Sequence, residues 1–211
     1  MTQEISELLQ SDVARLRAKS LFGSPGDSVS MRIPGQQRFL LALPDGHNLR
    51  TIAFGDDGNE AGAFHAAIYR TRADAGAILI GRTPWSAALS TIGEAVPTLF
   101  DEQARHIGKT EDPVHVGRRE WAVAALRGGG NVAVYGDQRI CIGTTPDRVV
   151  FNADLFEKCA KAFVIAHTSG HRIRKVPGWV RYIAGGRLKK DQKRAAESYD
   201  AGRIPEGMDA Y

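Results

Sequence analysis

Arg82 is the residue whose surroundings most point to chemistry. The stretch Ala-Ile-Leu-Ile-Gly-Arg-Thr-Pro-Trp-Ser, residues 77–86, is apolar until Gly81 and then turns to Arg82, Thr83 and Pro84. A short apolar run bounded in this way reads as a buried strand, so Arg82 stands where that strand opens onto a site. Its guanidinium is permanently charged, cannot ligate a cation, and forks onto carboxylates or phosphates. The six histidines add little to it. His106 and His115 are nine residues apart around a break. His167 and His171 are four apart, a spacing that on a helix could hold a metal. Gly170 lies between them, and solvated side chains are the simpler reading. Cys141 and Cys159 belong to no Cys-x-x-Cys pair, lie in apolar surroundings, and read as inert buried thiols. No Ser-His-Asp or Cys-His spacing for nucleophilic catalysis stands out.

The elements around Arg82 must position it. Residues 3–20 put Ile5, Leu8, Leu9, Val13 and Leu16 on one helical face. Gly23, Pro25 and Gly26 break that helix. Residues 29–33 and 37–43 read as short strands joined through Pro34 and Gly35, and residues 49–54 as a third. Residues 61–72 suit a helix with Phe64, Ala67 and Ile68 inward, followed by the strand that ends at Arg82. A short helix after Pro84, a helix over 97–109 opened by Pro97, and a helix over 117–130 stopped by three glycines come next. Residues 131–143 supply one or two strands. Residues 145–170 form a long helix, with Thr145 as N-cap, Pro146 in the first position and Gly170 as the stop. The expectation is one α/β domain over 1–170 and a basic, partly helical C-terminal tail over 171–211.

Hydrophobic residues at 43% and charged residues at 25% are ordinary for a globular domain with a real core. No apolar run approaches the ~18 residues of a membrane helix, and the polar N-terminus lacks the apolar centre of a signal peptide. The expectation is a cytoplasmic protein without a membrane partner. The net charge of +4 is uneven: residues 1–158 hold 17 Lys/Arg against 19 Asp/Glu, and residues 159–211 hold 11 against 5. From Arg172 to Arg194 nine basic residues are interleaved with Trp179 and Tyr182. Such a tail can bind phosphates, nucleic acid or an acidic surface. The plainer reading packs it on a neighbouring subunit through Trp179, Val180 and Ile183, and nucleic acid is not expected.

Five segments, taken in order, resemble the class II aldolase/adducin family over about residues 5–168. They are the Gly-rich loop and strand GSPGDSVSMRI, the helix and strand FHAAIYRTRADAGAILI, the segment VPTLFDEQARHIGK, the strand pair NVAVYGDQRICIG, and Glu157 on the long helix. The resemblance implies a three-layer α/β fold, with a central, mainly antiparallel sheet flanked by helices. It also implies assembly as a tetramer with the site between subunits. The family's lyases hold a divalent metal, usually zinc, with three histidines, and use it as a Lewis acid. Two of these form His-x-His at the end of the strand, where this chain has Ile80 and Arg82. The third precedes a glycine. Gapless alignment puts Asp137 there, followed by Gln138, and a shifted alignment puts Tyr135 there, followed by Gly136. The family's catalytic carboxylate falls on Ala61, with Glu60 one residue away and about 100° round the helix. The resemblance therefore implies a site with no metal and no cofactor, in which Arg82 and Asp137 form an ion pair in the metal's place. The family's phosphate-binding loop falls on Ser24, Gly26, Asp27 and Ser28, and a second phosphate contact falls on Asn59. Asp27 replaces a neutral asparagine and is expected to repel phosphate, so a tight turn is the other role open to that loop. His65 falls on a structural position of its helix.

Three functions remain open. The first is a degenerate, metal-free aldolase-like protein that scaffolds a homotetramer or joins an active paralogue in a mixed oligomer. The second is a repurposed lyase, decarboxylase or isomerase acting on a small carboxylated or phosphorylated metabolite bound through Arg82, with Asp137, Glu60 or Tyr135 as acid or base. The third is anion or nucleic-acid binding through the basic tail.

Overall fold

The computed structural model describes residues 2–44, 49–56, 60–170 and 172–206. Helix α1 (Thr2–Ala18) buries Ile5, Leu9 and Leu16 completely, whereas Leu8, expected on the same face, is 37% exposed. Its end is set by Ser20, at a left-handed φ of 56°, and by the Leu21 N–H closing back on the Leu16 carbonyl. Glycine usually occupies that left-handed position.

The strands are β1 (Ser28–Arg32), β2 (Arg38–Ala42), β3 (Arg50–Ala53), β4 (Ala77–Arg82), β5 (Val132–Tyr135) and β6 (Gln138–Gly143). They form one sheet in the order β3-β2-β1-β4-β6-β5, and every neighbouring pair is antiparallel. Side-chain alternation along β4 sends Ala77 and Leu79 to one apolar cluster and Ile78 and Ile80 to the other. The first cluster is covered by α1, α3 (Pro84–Ile92) and α5 (Pro146–Thr168). The second is covered by α2 (Glu60–Thr71) and α4 (Arg119–Ala125). Helix, sheet and helix make the three layers that the sequence resemblance implied. Thr145 caps α5 by accepting the Arg148 N–H at 3.3 Å, and Pro146 opens the helix.

Two helices differ from expectation. Residues 97–100 are not helical, and the helix is confined to residues 101–107, of which Gln103–Ile107 form a π-helical turn. The reason is Gln103, whose fully buried side chain donates to the Pro97 carbonyl at 3.1 Å and accepts the Leu99 N–H at 2.9 Å. Those bonds satisfy the loop backbone in place of a helical turn. The expected helix over 117–130 is confined to α4. The tail carries a 23-residue helix, α6 (Gly178–Asp200). Its end is docked by the Tyr199 hydroxyl, which donates to the Thr144 carbonyl at 3.0 Å, and by the Gly35 N–H, which donates to the Tyr199 carbonyl at 3.0 Å. Thr144 lies at the end of β4 opposite Arg82, because Ala77 pairs with Gly143 and Arg82 with Gln138. Among the described residues no helix is long and apolar enough to cross a membrane.

Candidate functional site

Three connections meet where β4 ends: the loop before β1, the turn between β5 and β6, and the start of α3. Gly136, with φ 56°, takes the first position of the two-residue turn between Tyr135 and Gln138. That turn sets Asp137 beside the end of β4, and the Arg82 guanidinium forms an ion pair with the Asp137 carboxylate. The two side chains remain 59% and 44% exposed. Solvent screens such a pair, and its contribution to stability is about 0–1 kcal/mol.

Asp27 is the opposite case, with 1% exposure. Its Oδ2 accepts the backbone N–H groups of Gly23 and Ser24, both at 2.9 Å, and its Oδ1 accepts the Arg82 N–H at 3.0 Å. Backbone N–H groups converging on one point form a nest that suits an anion. Here the chain's own carboxylate fills it. The expected repulsion of phosphate by Asp27 is therefore replaced by a direct occupancy of the nest. Asp27 also explains the glycine before Arg82, since a Cβ on Gly81 would lie 3.0 Å from Asp27 Oδ1 and 3.1 Å from its Cγ.

Behind this surface lies Arg139, which is wholly buried. It donates to the carbonyls of Leu21 at 2.9 Å and Gly81 at 3.3 Å, and to the Thr83 hydroxyl at 2.9 Å. Thr83 in turn donates to Glu157 Oε2 at 2.5 Å. Glu157 accepts the N–H groups of Trp85 at 2.9 Å and Ser86 at 3.3 Å. The Thr83 side chain makes no capping bond of its own to α3, so a carboxylate from α5 caps that helix, at the end where its dipole favours negative charge. One hydroxyl thus joins a buried cation to a helix-capping anion.

The other expected site residues lie elsewhere. Glu60 forms an ion pair with Arg119, whose guanidinium sits 5.3 Å from the centre of the Phe64 ring. The Tyr135 hydroxyl accepts the Gly117 N–H at 2.8 Å, and its ring meets Phe64 edge-on at 5.4 Å. Glu60 and Tyr135 therefore tie α2 and α4 to β5, and neither joins the Arg82–Asp137 pair. The Gly26 carbonyl accepts the Gln138 amide at 3.1 Å. The Ser24 N–H is taken by Asp27. The Ser28 hydroxyl is buried against His65 Nε2 at 2.9 Å, while Ser30 bonds the other ring nitrogen at 2.7 Å. Burial pushes His65 down to about 3, so the imidazole is neutral in the core, as expected of a structural histidine. Asn59 and His171 fall outside the described residues. Burial also pushes the Cys141 thiol up to about 11 and the Cys159 thiol up to about 12, which keeps both protonated. Among the described residues, no three His, Cys, Asp or Glu side chains are placed to share a metal ion.

Sequence reasoning missed Arg139 and Arg119. Arg139 had a signal: it lies two residues before Cys141 and so points to the same buried face of β6. Arg119 had none, because its partner Glu60 is 59 residues away.

The family described as "Class II Aldolase and Adducin N-terminal domain" matches residues 39–164. Solved structures with the same fold include an L-fuculose 1-phosphate aldolase, 15% identical over 90% of this chain and 97% of that one, with a TM-score of 0.74. YgbL of Escherichia coli, a candidate aldolase, epimerase or decarboxylase, is 16% identical over 87% of this chain and 98% of its own, with a TM-score of 0.71. An aldolase II superfamily protein of Pseudomonas syringae is 19% identical over 97% of both chains, with a TM-score of 0.65. Among curated proteins none matches this sequence.

Proposed function

The chain belongs to the class II aldolase and adducin family, and from that premise we propose that its metal-dependent carbon–carbon lyase site is lost and that it serves as a non-catalytic subunit of an oligomer. The observation that carries this reading is self-occupancy. A cation, Arg82, stands at the end of β4 and pairs with Asp137, while a carboxylate, Asp27, fills the backbone nest beside it. This donor set does not fit a divalent cation. Ile80 is an aliphatic side chain in the core, Arg82 brings a fixed positive charge that repels a metal, and Asp137 is already engaged. Metal analysis of the purified protein after incubation with zinc or manganese tests the proposal. The expected result is no bound metal and no cleavage of L-fuculose 1-phosphate, the compound named for one structural neighbour. One metal per chain, or metal-dependent cleavage, would sink it.

The exposure of the Arg82–Asp137 pair favours a second reading. Because the pair is screened, a small carboxylated or phosphorylated metabolite can displace Asp137 from Arg82, leaving Asp137 as the nearest acid or base for a decarboxylase, isomerase or lyase step. Glu60 and Tyr135 would have to leave Arg119 and Gly117 to take part. A thermal-shift screen of such metabolites, repeated on Arg82→Ala, decides this: a hit that survives the substitution does not bind through Arg82. The homotetramer, or a mixed oligomer with an active paralogue, is supported by Trp179 (69% exposed), Tyr182 (84%) and Ile183 (51%) on α6. A monomer mass in solution would refute assembly, and salt-sensitive nucleic-acid binding would redirect the role of α6 to its basic charge.

A further inference from the structure

A cavity of about 300 Å³ lies between α6, the π-helical turn and the glycine loop of residues 128–130. It sits at the end of the sheet opposite Arg82, because the loop enters β5 at Val132, which pairs with Cys141 near the far end of β6. Leu188, Ala104 and Gly108 supply apolar wall, and Thr98 a hydroxyl. Its charged lining is Lys109, Arg181 and Lys189, with no carboxylate among the described residues that line it. Lys109 donates to Glu111, outside the lining, at 2.8 Å. Arg181 and Lys189 make no side-chain hydrogen bond or ion pair with any described residue. The floor is held in shape, since the Gln192 amide donates to the Gly129 carbonyl at 2.8 Å and to Asn131 Oδ1 at 3.2 Å.

We propose that this cavity binds a small phosphorylated metabolite. The volume is at the lower limit for small-molecule sites, which suits a compact ligand of sugar-phosphate size. Cations gathered on one wall without a carboxylate favour an anion even though all three are solvent-exposed, and a guanidinium fork beside an ammonium matches phosphate oxygens. Gly128 and Gly185 leave space open on the lining, since a Cβ at either meets no atom within 4 Å.

Gly185 supplies the test. A Cβ there meets no atom within 4 Å, so Gly185→Leu has open space at the cavity wall in which to obstruct a ligand, and it favours the helix. Gly186 is equally open but does not line the cavity, so Gly186→Leu is its control. Calorimetric titration with inorganic pyrophosphate and glycerol 3-phosphate, with citrate for comparison, reads the binding. Binding is expected in the wild type and in Gly186→Leu, absent in Gly185→Leu, and weakened about tenfold by Arg181→Gln or Lys189→Gln. Lys190→Gln, which removes the same charge from α6 outside the cavity, should leave it nearly unchanged. Three results overturn the site: neither phosphate binds the wild type at millimolar concentration, Gly185→Leu binds like wild type, or Lys190→Gln weakens binding as much as Lys189→Gln. Citrate binding as tightly as pyrophosphate overturns the phosphate assignment.

Discussion

Removing the carboxylate of Asp27 tests whether the loop before β1 is an anion nest filled from within. Asp27→Ala leaves the backbone N–H groups of Gly23, Ser24 and Arg82 without the acceptor they now share. A hydrogen bond to a charged group contributes about 1.5–3 kcal/mol, but three on one carboxylate do not add, and the cost of burying the charge offsets part of them. The net loss is about 3–4 kcal/mol. A domain of this size loses about 2–4 °C of Tm per kcal/mol, so Tm should fall by roughly 10 °C. Asp27→Asn keeps one acceptor oxygen but turns an amide N–H toward a donor, and should cost roughly half as much. Formate has the size and charge of the missing group. At ten times its Kd it should return about 1.4 kcal/mol to Asp27→Ala, or roughly 4 °C. Chloride at the same ionic strength should return nothing, and the wild type should not respond to formate at this site. Scanning calorimetry of the three proteins in formate and chloride reads all of this. A loss below about 0.5 kcal/mol, typical of an indifferent surface position, would refute the reasoning. So would a large loss that formate and chloride restore equally.

Three other outcomes are expected. Burial pushes Asp12 up to about 6 from an ordinary 3.8, although Arg15 pulls the other way. The folded state therefore holds a proton that the unfolded chain has released between about pH 4 and 6, and stability at this residue falls as pH rises through that window. Asp12→Asn should raise the denaturant midpoint at pH 7.5, by about 1–3 kcal/mol of stability, and leave it nearly unchanged at pH 3.5. His65, pushed down to about 3, works in the opposite direction: its stabilisation is lost as pH falls from about 6.5 toward 3, so only the difference between variant and wild type isolates Asp12. Glu157→Ala should cost about 2 kcal/mol in a urea titration, because it uncaps α3 and leaves the Thr83 hydroxyl without its acceptor. Arg82→Ala should cost less than about 1 kcal/mol by the same titration, since its ion pair is exposed, and a larger loss would mean that Arg82 has a structural role.

Much of the fold was legible because it depends on local patterning. Apolar alternation, the helical spacing of α1 and α2, and the Thr145-Pro146 start of α5 are properties of short windows, and they appear close to where the sequence put them. The start of the helix expected over 97–109 was misplaced because a proline that can open a helix is overruled by Gln103, whose side chain bonds the loop backbone, so that only 101–107 are helical. At the site, the sequence by itself determined that the strand ends in Ile80, Gly81 and Arg82 and carries no histidine there. That follows from the order of residues along one strand. The pairing of Arg82 with Asp137 was inferred by alignment, and the register of β4 against β6 produces it. Only the tertiary structure decided what Asp27, Glu60, Tyr135 and Ser28 do. Each has a partner far away in sequence, or a carboxylate that could have faced out or in, and composition does not encode that choice. Asp27 turns inward because Gly81 lets it approach and three N–H groups need an acceptor, and these groups come together only once β1 and β4 have paired.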